Sequence, residues 1–414
     1  MVAHRNHRGV QSFVEHLVST EAAEYRLCRR RVRTRVKDRA AFDKQKQYVL
    51  SIHEGVHIVH SFADSSGQLF DCIPIDEQPA LRRSGAPLAQ PPTVPRPPVP
   101  IRPATTFLPP LHTDKFDRFG NQMLCPPGTV AIRRVTLDEL IRFETLDDYF
   151  LKPTYPRHAN PPNAPGTVTN SPHPHAYGFQ DVDNLGGHVI LSVWSPTVTG
   201  DQIFSLAQQW CLALGPTGAQ TVEVGWQVYP RMYGHTNPAL FVYWTPDSYQ
   251  SGGYDYQSFV QYGSSHPLGI ACGAPSVSGG SQVEVELSFL LTGGNWWLFL
   301  NGIEEQNAVG YFPTFLFAGG PMATGATRIE FGGETAGNAS FPPMGSGAFA
   351  AAGAGHAAVQ RSIHYFSVAG AMCAATLTAE EEWRAAYTIE IEAPADSDPL
   401  FYFGGPGGVA PLPG

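Results

Sequence analysis

Charge is scarce in this 414-residue chain: Lys, Arg, Asp and Glu together make up 15% of it, against roughly a quarter in an average globular domain. Low charge combined with 42 glycines and 37 prolines points to a turn-rich β protein, and the length allows one large domain with an accessory one. Lysine nearly vanishes after residue 150, where Lys152 stands alone. A surface so poor in lysine gains little repulsion as its carboxylates protonate, so the body is expected to tolerate acid. Cysteine is thin as well. Cys28, Cys72, Cys125, Cys211, Cys272 and Cys373 are scattered without a CxxC pair, which excludes a small disulfide scaffold and a thiolate metal site, while one or two bridges of unassigned partners remain open. No run of 18 apolar residues exists to span a membrane, and the opening "MVAHRNHRGVQSFVEHLVST" has no apolar leader core.

What charge there is lies unevenly. Residues 1–50 hold 12 of the 27 Lys and Arg, many in "CRRRVRTRVKDR", whereas residues 151–414 hold 6 basic against 19 acidic groups. A basic front on an acidic body suits nucleic acid or docking onto that body. With no recognised binding motif beside the run, docking is expected, with no nucleic-acid and no membrane partner.

Three regions follow from texture. Residues 1–150 form a basic front region, with helix expected over 10–48, extended structure in "QYVLSIHEGVHIVHSF" (47–62) and a Pro-rich linker at 85–110. Residues 151–175 form a second linker, "PTYPRHANPPNAPGTVTNSPHPH". Residues 176–414 read as short strands between Gly, Pro and Asn turns. Among them are "HVILSVWS" (188–195), "QIFSLAQQWCLAL" (202–214), "QTVEVGWQVYP" (220–230), "ALFVYWT" (239–245), "QVEVELSFLL" (282–291), "NWWLFLNG" (295–302) and "AVGYFPTFLF" (308–317). Such spacing predicts an all-β domain, an antiparallel sandwich or barrel.

The period-two rule sorts the faces of two strands. In "TVEVGWQV" the residues Val222, Val224, Trp226 and Val228 share a core face, and Glu223, Gly225, Gln227 and Tyr229 share the other. In "TRIEFGGET" the second face carries Glu330, Gly332 and Glu334. Glycine beside glutamate lets another backbone approach, yet solvated glutamates on the wet face of a sheet would give the same pattern. Glu284 and Glu286 fit that plainer reading. The histidines of "SPHPHAY" lack partners at ligand spacing, and no GxSxG elbow, HExxH helix or phosphate loop is present. No metal and no cofactor is expected.

An ordered series of fragments resembles the neprosin family of glutamic peptidases. "GQLFDCIPIDEQPALR" (67–82) is similar to the end of the family's activation peptide. "FSLAQQW" (204–210), "VEVGWQVYPRMYGHTNPALFVYWTPDSYQSGGY" (222–254), "GGSQVEVELS" (279–288), "GNWWLFL" (294–300), "VGYFP" (309–313), "IEFGGE" (329–334), "MGSG" (344–347) and "YFGGPG" (402–407) resemble landmarks of its catalytic domain. The loop that holds a close cysteine pair in the family reads "GGYDYQSF" here. The resemblance implies a secreted zymogen with a catalytic sandwich of two antiparallel sheets, an activation-peptide-like front region, and an endopeptidase cleaving after proline in acid. Its two glutamates would be Glu223, from the Glu-x-Gly-Trp strand, and Glu334, from the Gly-Gly-Glu strand, with Glu330 the lesser candidate. Gln227 and Tyr229, by parity, and Gly332 are the accompanying candidates for substrate binding. The implied partners are proline-containing peptides and the chain's own front segment. A glycoside hydrolase using the same carboxylates and a non-catalytic carbohydrate- or protein-binding sandwich are the competing readings.

Overall fold

The computed structural model describes residues 9–93, 106–107, 111, 114–153, 173–392 and 399–409. Much of the 85–110 linker and residues 154–172 of the 151–175 linker lie outside these residues.

The front region combines helices with a small sheet. Helix α1 (Phe13–Glu21) starts at Ser12, which accepts from the Glu15 amide while the Glu15 carboxylate accepts from the Ser12 amide, a reciprocal cap that satisfies two otherwise orphaned donors. Helix α2 (Arg39–His53) starts at Asp38, which accepts from the Ala41 amide, and buries Ala41, Phe42, Gln45 and Val49. Those residues recur at helical spacing, so the apolar stripe carries the helix through 48–53, where extended structure was expected; pairing begins only at β1 (His60–Ala63). Strands β1, β2 (Leu69–Pro74) and β3 (Thr129–Arg133) form an antiparallel sheet. A disulfide joins Cys72 to Cys125, and the other four cysteines are free. A short helix, α3 (Leu146–Phe150), is held by a Thr145–Asp148 capping box and leads into Lys152.

The body is all β, as expected. Its strands are β4 (His175–Ser192), β5 (Gln202–Gly215), β6 (Gly218–Val228), β7 (Ala239–Thr245), β8 (Val283–Thr292), β9 (Asn295–Leu300), β10 (Ala308–Pro313), β11 (Ala326–Gly337), β12 (Ala358–Ser367), β13 (Thr378–Glu381), β14 (Thr388–Glu392) and β15 (Leu400–Gly404). The sheet curls into two layers through β4. The first half of that strand pairs with β11, which leads on to β5, β6 and β7, and the second half pairs with β8, which leads on to β9 and β10. The change of partner falls at Gly186, where φ is 122° and a Cβ would sit 2.1 Å from the Phe289 carbonyl oxygen. Only glycine fits that turn in the strand.

The core between the layers takes Val222, Val224, Trp226 and Val228 from β6, Leu240 and Val242 from β7, and Ile329 and Phe331 from β11. The opposite face of β5, β6, β7 and β11 is not open to water. Phe204, Leu206, Tyr229, Phe241, Tyr243 and Tyr254 there pack against Phe42, Val49, Leu140, Phe143 and Tyr149 of the front region. Docking therefore occurs, but by apolar burial. Arg31 pairs with Asp138 inside the front region, and Arg35 has the body's Arg231 as a like-charged neighbour that pushes its own pKa down.

Candidate active site

Register decides which side chains of the covered face meet. Strand β11 sets Glu334 opposite Leu206 of β5 and His175 of β4. Strand β6 sets Glu223 opposite Trp210 of β5 and Tyr243 of β7. Gln208 lies between the two glutamates, flanked by Gly225 on one side and Gly332 on the other. A Cβ at Gly225 would stand 1.9 Å from the Ala207 carbonyl oxygen, and one at Gly332 would stand 2.4 Å from that of Ala176. The close strand approach beside Gln208 thus requires both glycines.

Glu223 and Glu334 converge on one cation. Lys152 Nζ lies 2.6 Å from Glu223 Oε2 and 2.6 Å from Glu334 Oε2, and all three side chains are buried. The two facing oxygens are therefore no more than twice that distance apart. Burial opposes the charge on Lys152, but Glu223 and Glu334 outweigh it and raise its pKa. Its ammonium also lies over the rings of Tyr243 and Tyr249, an arrangement that stabilises a desolvated cation. Helix α3 supplies the aim: Tyr149 donates to Glu139 at 2.8 Å, Glu139 pairs with Arg133, and the Lys152 amide reaches the Tyr243 hydroxyl.

The surroundings of the two carboxylates differ. Glu223 Oε1 accepts from Thr221 and Tyr249, each at 2.9 Å. Tyr249 sits in the left-handed region with φ 64°, following Ser248 at φ 57°, a backbone that a bulky residue adopts only when its surroundings enforce it. Burial, with Glu223 beside it, pushes the Tyr249 phenol far above its ordinary pKa, so it remains a donor. Glu334 Oε1 meets His173 Nδ1 at 2.6 Å, and its Oε2 accepts from Gln208 Nε2 at 3.2 Å and lies 3.7 Å from His175 Nε2. Burial alone would raise its pKa, but Lys152 and the two histidines outweigh burial and hold the carboxyl well below the usual range.

The other sequence candidates take separate places on this face. Gln227, four positions along β6 from Glu223, donates to the Tyr233 hydroxyl at 2.9 Å. Tyr229 packs with Phe143, Phe204 and Tyr254 under the front region. Gly332 presents its carbonyl to Gln360 at 3.1 Å. Glu330 is paired with Arg328 and lies outside the grip of Lys152, its carboxyl pushed up to about 7 by burial against the pull of Arg328. Glu284 is ion-paired with Arg361 at 2.6 Å. Sequence reasoning passed over Lys152, His173, His175, Gln208 and Tyr249 as members of this cluster. The signals were present: Lys152 is the lone lysine after residue 150, and the histidines are read from sequence only as metal ligands. Among the described residues no group of His, Cys, Asp and Glu is arranged to hold a metal.

Two glutamates side by side on one face of an antiparallel sandwich form the arrangement of a glutamic-type peptidase. Residues 201–406 match the model of the neprosin family. The chain thus carries a neprosin domain over those residues. Glu223, Glu334, Gln208 and Tyr249 fall inside the match, whereas Lys152 and His175 precede it. Among solved structures, scytalido-glutamic peptidase with a peptide-based transition state analogue is similar at 12% identity and a TM-score of 0.30, over 56% of this chain and 97% of that one. SCP-B, a member of the eqolisin family bound to the tripeptide Ala-Ile-His, is similar at 10% identity and a TM-score of 0.29, over 56% and 96%.

Proposed function

We propose that this protein is a glutamic endopeptidase, made as a secreted zymogen, that cleaves peptide bonds after proline in acid with Glu223 and Glu334. The observation that carries the reading is the single ammonium of Lys152 shared by both carboxylates. Carboxylates close enough to share a cation are close enough to share a proton once the cation leaves, because like charges at that range cannot both ionise freely. The ionised member takes a proton from water, whose oxygen attacks the peptide carbonyl carbon. The protonated member donates to the carbonyl oxygen or, as the C–N bond breaks, to the leaving nitrogen. Gln208 Nε2 and the Tyr249 hydroxyl are donors placed at the two carboxylates, suited to an oxyanion.

Latency follows from the same contact. Lys152 occupies the space between the carboxylates that an attacking water needs, and the front region covers the aromatic face around it. Once uncovered, Tyr229, Tyr243, Tyr254, Phe204 and Phe241 offer flat apolar walls for a pyrrolidine ring. The prolines of the 153–175 segment supply cleavable bonds just after the lock.

Activity is tested on acid-treated protein with a proline-containing peptide and its alanine counterpart, beside an oligosaccharide panel. Glu223→Gln and Glu334→Gln should each lower kcat by about a hundred- to ten-thousandfold, as loss of a proton-transfer group does, with folding retained by circular dichroism. Undiminished cleavage by either variant would remove that residue from the mechanism.

A further inference from the structure

Strand β13 contributes something the dyad reading does not use. Its pairing with β4 sets Glu380 opposite Tyr177 and Glu381 opposite Ala176, so the next residue, Glu382, arrives at His175. Alternate acids of "AEEE" thereby fall on one face. Glu380 accepts from the Tyr177 hydroxyl at 3.0 Å. Glu382 Oε2 lies 3.0 Å from His175 Nδ1 and accepts from the His175 amide at 3.1 Å, while the Glu382 amide donates to the His175 carbonyl. The ring is therefore fixed by side chain and backbone together, with His175 and Glu382 each about 15% exposed at the side chain. Its other nitrogen points at Glu334 Oε2, 3.7 Å away.

We propose that His175, clamped by Glu382, is a positioning residue that keeps Glu334 ionised after Lys152 has left, so that Glu334 acts as the general base and Glu223 as the general acid. The inference rests on the peptidase reading for the roles of the glutamates, but not for the pairing itself. An imidazole between two carboxylates donates from both nitrogens only when protonated, and a fixed cation beside one member of a carboxylate pair pulls the shared proton toward the other. The groups facing the ring are Glu334 and, four positions back along β11, Glu330; Glu382 from the end of β13; Lys152 from the covering segment; and His173, which shares Glu334. Tyr177 and Trp210 flank it with their rings. Burial works against the charge on His175, but Glu382 and Glu334 outweigh it and push its pKa up to about 10. Glu223 has instead two neutral hydroxyl donors, which suit a carboxyl that alternates between charged and neutral.

Two measurements decide the matter. In 15N-histidine spectra of the full chain and of acid-processed protein, the His175 imidazole should remain protonated at pH 8. In Glu382→Gln it should titrate within the ordinary histidine range, and in Glu382→Asp it should stay protonated. A neutral His175 at pH 7 in the processed wild type overturns the proposal, whatever the peptidase assay gives. In that assay, His175→Gln, which removes the cation itself, should move the acidic limb of kcat to higher pH by about one unit, a tenfold loss at the acid end, with KM unchanged, whereas Glu382→Gln, whose His175 is protonated in acid, should leave that limb in place. An unmoved acidic limb in His175→Gln would reverse the base and acid assignment. A wild type that cleaves no peptide would overturn the peptidase reading, while the imidazole spectra still decide the pairing.

Discussion

At the level of single residues, Lys152 carries the most weight, because its one ammonium pairs with both buried carboxylates. Removing one partner of a buried ion pair costs about 3–5 kcal/mol, since the charge left behind has no solvent to turn to. Lys152→Met should therefore lower the midpoint of urea unfolding of the full chain and at the same time give the uncut protein measurable peptidase activity at acid pH. An uncut Lys152→Met protein as inert as the wild type would argue against the lysine as the lock. Alternation along β6 and β11 was legible because a strand repeats every two residues, and it assigned Glu223 and Glu334 to one face, opposite the core. The lysine was not legible as a partner. Its contact with Glu334 spans 182 residues of sequence, and nothing in local periodicity reports a contact of that range.

At the level of elements, the front region holds an acid-sensitive pair. His16 on α1 and His53 at the end of α2 meet edge to face with centroids 5.4 Å apart, beside Phe13 and the Arg134–Asp71 ion pair. Burial pushes each down to about 4, helped at His16 by Arg134 and opposed at both by Asp71. Both imidazoles are then neutral when folded and charged when released. Above pH 6.5 they are neutral in either state and cost nothing; as pH falls from 6.5 toward 4 the released state takes up protons first, and folding weakens by at most about 3 kcal/mol per ring. His16→Gln and His53→Gln should shift to lower pH the point at which hydrogen exchange in α1 and α2 accelerates; an unchanged midpoint would exclude the pair as the trigger. Several strands of the body were legible from their turns, Ala239–Thr245 to the residue, whereas β4 starts at His175 and not at 188, and β12, β13 and β14 were not legible as strands. Nor was the helix over 48–53, since β-branched and aromatic residues there suited a strand until the tertiary stripe of Phe42 and Val49 decided otherwise.

At the level of the whole molecule, composition announced a basic front and an acidic body, and charge attraction was the obvious way to join them. The structure joins them through aromatic and aliphatic side chains instead, with Lys152 as the buried ionic contact at the centre. Mean properties of a segment report its solubility and long-range field; they do not report which of its faces will be dry. The acid tolerance expected of the body and the acid sensitivity expected of its cover are compatible, because the first rests on a lysine-poor surface and the second on two imidazoles at one helical contact.

On the proposed zymogen reading, the position of Lys152 also implies an order of events in activation. The lock is N-terminal to every bond in the 153–175 segment, so a cut there severs the tether but leaves the cation seated. What remains is a two-component complex, and its opening obeys mass action. Activity should accordingly lag behind cleavage in concentrated samples and appear promptly when cut protein is diluted at constant pH. Equal specific activity at every dilution, measured straight after complete cleavage, would show that the severed segment departs with the cut.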